Sequence, residues 1–94
     1  MLIQQIDELP VRAHPLHSSV LFEGEASGHQ HRVNDKRSAR LLFWGGFKYL
    51  EVLPGGAEIV HPEHAAVMLE EGCYRVWQQR EYVDASHAPR QVAD

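Results

Sequence analysis

Short runs of apolar or alternating residues, broken by turn-forming residues about every ten positions, extend along most of the 94-residue chain. They predict strands over residues 2–9, 19–25, 29–33, 41–44, 47–53, 58–61, 65–69 and 73–83. Gly45-Gly46 lies between two of these runs, as in a two-residue hairpin. No hydrophobic stripe with a 3.6-residue period accompanies them. The pattern therefore predicts a mainly β fold, a small antiparallel barrel or sandwich of short strands.

The limits of the domain follow from the same pattern. Residues 1–83 are predicted to form a single β domain, with a loop over 14–19. Residues 84–94 are polar and contain Pro89, so they are expected to form a flexible tail. The run 73–83 is the longest predicted strand and carries Tyr74, Trp77 and Tyr82. If it lies at a sheet edge, its aromatic surface favours a homodimer.

Charge and composition narrow the class of protein. A formal net charge of −4 argues against non-specific binding of nucleic acid, which needs a basic surface. The single cysteine, Cys73, cannot form a disulfide within the chain. No run approaches the roughly 18 apolar residues of a membrane helix, and the first residues do not resemble a signal peptide. We therefore expect a cytoplasmic protein without membrane contact.

Histidine is unusually frequent, with seven in the chain, and six of them fall in three close pairs. His29 and His31 are two positions apart, so in a strand both side chains point to the same face. His61 and His64 flank Pro62-Glu63, and a tight turn at those two residues would place the histidines opposite each other. Each pair can therefore present two imidazoles to one ion.

The two pairs are predicted to meet at one end of the fold and to form a metal site of His29, His31, His61 and His64. Imidazole ligands favour a divalent transition metal such as Zn, Ni or Fe over Mg or Ca. Glu25 and Glu63 are the candidates for a catalytic base. A histidine-rich surface without a dedicated ion is the simpler alternative.

The remaining histidines are weaker candidates. His14 and His17 also have the spacing of a bidentate pair, but they lie in the predicted loop. His87 falls in the predicted tail.

Two resemblances arise at these residues. Gly24 leads to His29-Gln30-His31, and Pro54-Gly55-Gly56 leads to His61, which resembles the two motifs of cupins. That resemblance implies a small or half β-barrel with His29, His31 and His61 as metal ligands.

The chain also looks like a group of small uncharacterised bacterial and phage-associated proteins. The shared pattern is GEASGHQHR at 24–32, HPEH at 61–64, GCYRV at 72–76 and QREY at 79–82. This resemblance implies no particular activity.

Three hypotheses for function remain at this point. The first is a small metal-binding β protein that oligomerises. The second is a cupin-like metalloenzyme, an oxygenase or isomerase, that uses the same histidines. The third is a protein-interaction module in which the histidines respond to pH near their usual pKa of about 6.5.

Overall fold

The fold consists of short β-strands joined by tight turns. A computed structural model of the chain describes residues 1–23, 30–78, 80–81 and 90–91. The strands are β1 (Leu2–Ile6), β2 (His14–Leu16), β3 (Val20–Glu23), β4 (Gln30–Val33), β5 (Ala39–Trp44), β6 (Phe47–Val52), β7 (Ala57–His61), β8 (His64–Leu69), β9 (Gly72–Trp77), β10 (Arg80–Glu81) and β11 (Arg90–Gln91). These ranges contain no helix, and so no helix of the length and apolarity needed to cross a membrane.

Two antiparallel sheets make up the domain. One has five strands in the order β1-β9-β6-β5-β2, and the other has four in the order β3-β4-β7-β8. The short strands β10 and β11 pair with each other. The prediction of a mainly β, antiparallel fold is confirmed.

A single core lies between the two larger sheets, which makes the domain a sandwich. Alternating residues of each strand point towards this core. On β7, for example, Ala57, Ile59 and His61 are buried while the residues between them are only half-buried. From the opposite sheet, Leu50 and Val76 are fully buried in the same cluster. Burial of a side chain of this size contributes about 1.5–3 kcal/mol.

The predicted hairpin at Gly45-Gly46 is confirmed. Trp44 pairs with Phe47, and the two glycines between them have φ values of 61° and 85°. Both values lie in the region where most L side chains are disfavoured, so the turn favours glycine at both positions.

Two expectations are wrong. The predicted edge strand is wrong, because β9 lies between β1 and β6 and is paired on both sides. The predicted loop at 14–19 begins as a strand, since His14–Leu16 pairs with β5 and Leu16 packs against the core. Of the predicted tail, only Arg90 and Gln91 are among the described residues.

Two arginines near the start of β5, Arg37 and Arg40, lie beside carboxylates. Arg40 Nε lies 2.6 Å from Glu51 Oε1 across β5 and β6. Arg37 pairs with Asp35, and its backbone N–H donates a hydrogen bond to Asp35 Oδ1 that lowers the pKa of this carboxyl. These residues therefore offer little net positive charge to an anionic partner.

Candidate metal centre

Three histidines meet on the inner face of the four-stranded sheet. His31 lies on β4, His61 ends β7 and His64 begins β8. Arg32 pairs with Val60, so the next position along each strand sets His31 beside His61, and His61 pairs directly with His64. The three side chains thus form a row across neighbouring strands.

The turn between β7 and β8 brings His61 and His64 together. Pro62 and Glu63 occupy the turn, as predicted, and proline fixes the backbone angle that its first position requires. A β-bulge adds to this effect. Ile59 pairs with Val67, so an unbroken register would set Ala65 opposite His61, but the register shift sets His64 there instead.

The imidazole rings are close enough to share an ion. The centroid of His61 lies 4.3 Å from that of His31 and 4.2 Å from that of His64, and the other two rings are 5.7 Å apart. One nitrogen from each ring can be chosen so that all three lie within 4.8 Å of one another. The predicted convergence of the two histidine pairs is confirmed for these three members.

Burial differs along the row. His31 and His61 are each only 7% exposed, whereas His64 at the sheet edge is exposed. His31 Nδ1 and His61 Nε2 are shielded from solvent. Solvent therefore reaches the cluster from the side of His64.

One hydrogen bond links the His61 ring to the turn. The backbone N–H of Glu63 donates to His61 Nδ1 over 3.1 Å. A neutral imidazole that accepts at Nδ1 carries its proton at Nε2. The turn thus selects one tautomer of His61 in the metal-free chain.

Among the described residues, no other predicted site residue joins the group of three histidines. His29 and Glu25 lie outside the described residues, and Glu63 is exposed on the turn. His14 lies on β2 of the opposite sheet, where its ring meets Phe43 edge-on at 5.7 Å.

Sequence reasoning missed a neighbour of the cluster. Phe22 on β3 pairs with His31, which extends the row of side chains by one strand. Cross-strand pairing of this kind leaves no mark in the spacing of residues along the chain. The apolar run at 19–25 was the only signal, and it indicated a strand without indicating its neighbour.

Comparison with known proteins gives the family and no activity. No curated protein and no solved structure matches the chain. A family model described as a domain of unknown function, DUF8820, matches residues 1–79 and so covers the histidine row and both sheets. This match agrees with the resemblance to a small uncharacterised protein group, and it carries no link to cupins or phages. The chain belongs to the DUF8820 family.

Proposed function

We propose that this chain is a metal-binding protein that holds one divalent transition-metal ion through His31, His61 and His64. The observation that carries the proposal is the set of three imidazole nitrogens within 4.8 Å of one another. Nitrogen donors favour Zn, Ni or Fe over Mg and Ca, which take oxygen ligands.

The spacing of the nitrogens fits an ion after a small adjustment. A tetrahedral Zn bound at about 2.0–2.1 Å from each nitrogen holds its ligands about 3.4 Å apart. Because no two of the nitrogens are more than 4.8 Å apart, the most distant pair must approach by at most about 1.4 Å. Rotation of the exposed His64 side chain can supply this movement, because fewer neighbours restrict it.

Binding also changes the hydrogen bond at the turn. If His61 ligates the ion through Nε2, its proton must move to Nδ1, which can then no longer accept from Glu63. Metal binding at His61 Nε2 would therefore break the hydrogen bond from the Glu63 N–H to His61 Nδ1, and the environment of the turn between β7 and β8 would change. The Glu63 amide is therefore a local reporter of binding.

Three protein ligands leave a fourth position on a tetrahedral ion. A water molecule fills this position in many three-ligand sites, and exposed His64 lies on the side that solvent reaches. His29 remains a predicted fourth ligand because it lies two positions before His31.

The first experiment measures metal content and binding. Protein purified without a tag or nickel column is stripped with chelator and titrated with Zn, Ni and Fe(II) by calorimetry, the last under anaerobic conditions. We expect one ion per chain and an NMR shift of the Glu63 amide. Mutation of a residue that only hydrogen-bonds to a metal ligand typically lowers metal affinity about 10–100-fold. His61→Ala removes a ligand itself, so its metal affinity should fall by more than that.

His14→Ala is the matched control, because it removes an imidazole from the opposite sheet. It should bind metal as the wild type does. The proposal fails if none of the three metals binds at a one-to-one ratio, or if the two alanine variants lose the same affinity.

A further inference from the structure

A second candidate site opens at the end of the sandwich that carries the histidine row. It is a cavity of about 420 Å³, and its walls include Phe22, Phe43, Phe47, Lys48, Trp77 and Gln78. This volume lies within the range of about 300–1,000 Å³ that is typical of pockets for small molecules. Phe22 lies on the four-stranded sheet beside His31, and the other five belong to or directly follow strands of the five-stranded sheet.

Aromatic rings dominate the walls of this cavity. Phe22 comes from β3, Phe43 from β5, Phe47 from β6 and Trp77 from β9, so four strands each supply one ring. Aromatic rings pack favourably against another ring in offset or edge-to-face arrangements. The walls therefore suit a planar, ring-shaped ligand.

The charged group in the cavity is a cation. Lys48 is half-buried, and its Nζ lies 4.7 Å from the centroid of the Phe22 ring. Nζ donates one hydrogen bond of 2.6 Å to the backbone O of Leu21, and an ammonium group carries three donors. Lys48 can therefore hold its place through Leu21 and still donate to a ligand.

Lys48 is the charged side chain among the described residues that line the cavity. Arg75 points to the other face of the sheet, because its neighbour Val76 is the residue that pairs with Lys48. Among the described residues, no carboxylate lines the cavity. In a chain of net charge −4, this is a local site of positive potential that attracts an anion.

We propose that this cavity binds a small aromatic carboxylate, with its ring among the four aromatic side chains and its carboxylate at Lys48 Nζ. The proposal goes beyond metal binding and does not depend on it, because none of the three histidines lines the cavity.

The test uses benzoate as the probe on the metal-free 94-residue chain. Two-dimensional ¹H–¹⁵N NMR follows the amides of Lys48, Trp77 and Gln78 during titration. We expect saturable shifts at these amides, with at least tenfold weaker binding of benzamide, which lacks the charge, and weaker binding of cyclohexanecarboxylate, which lacks the aromatic ring.

Two variants distinguish a direct contact with the Lys48 ammonium group from a general effect of the chain's positive charge. Lys48→Met should weaken benzoate binding at least tenfold, whereas Lys36→Met, on an exposed turn, should leave it unchanged. The NMR spectrum shows whether each variant is folded, and the comparison of benzoate with benzamide on the wild type needs no variant.

Three outcomes would overturn the proposal: no saturable shift with benzoate, shifts confined to amides away from the cavity, or equal affinity for benzoate and benzamide. Equal affinity for cyclohexanecarboxylate would refute the aromatic specificity. His61→Ala should still bind benzoate, so failure of the metal proposal and failure of this one are distinguishable.

Discussion

At the residue scale, Gly56 has no side chain, and this lets the start of β7 lie close to the end of β8. Its φ is +80°, and a Cβ built on it would lie 2.8 Å from the backbone O of Leu69 at the end of β8. We expect Gly56→Ala to destabilise the domain by about 2–4 kcal/mol, since it adds a steric contact to an unfavourable backbone angle. Urea unfolding of the variant and the wild type measures this difference.

Gly55 provides the control for that prediction. Its φ of +102° is also unfavourable for alanine, but its Cβ would meet no atom within 4 Å. Gly55→Ala should therefore lose only the conformational part, about 1–3 kcal/mol. Equal losses in the two variants would show that the contact with Leu69 does not restrict residue 56.

At the scale of elements, β8 is an edge strand with an apolar surface. In the described part of the chain it pairs with β7 alone, and Val67 and Met68 on it are 43% and 67% exposed. Edge strands usually carry charged residues that prevent association, and β8 has none from Ala65 to Leu69. If the predicted homodimer forms through a sheet edge, β8 is therefore a better candidate than β9.

We expect the chain to associate in sedimentation velocity experiments. Met68→Lys should shift it towards monomer, because it adds a charge to each of the two paired edges. Val11→Lys is the control, since Val11 is a fully exposed apolar residue in the loop between β1 and β2. A wild-type chain that stays monomeric at high concentration would contradict the dimer. Equal effects of the two lysines would contradict the role of β8.

The elements also show what the sequence could and could not predict. Alternation of apolar residues located most strands, and Gly45-Gly46 and Pro62-Glu63 located their turns, because these signals are local. The position of β9 inside the sheet was not predictable, because strand order depends on contacts between residues far apart in the chain. The bulge that sets His64 opposite His61 was likewise invisible, since register depends on both strands.

At the scale of the whole molecule, the proposed metal would join parts of the chain that are distant in sequence. His31 lies on β4, while His61 and His64 lie on the β7–β8 hairpin, so an ion would cross-link three adjacent strands. A small domain has a thin stability margin, and an ion that binds only the folded chain adds its binding free energy to that margin. Metal binding should therefore be visible in the unfolding of the entire domain.

The expected size of this effect makes the final prediction quantitative. Zn at 100 times its dissociation constant should stabilise the fold by about 2.7 kcal/mol, which is a rise of roughly 10–20 °C in Tm for a domain of this length. Differential scanning calorimetry of the chelator-stripped chain, with and without Zn, measures the shift. His14→Ala should keep the shift and His61→Ala should lose it, while Mg should have no effect on either. An equal rise in His61→Ala would show that Zn stabilises the chain from another site, because His61 lies between the other two ligands of the row.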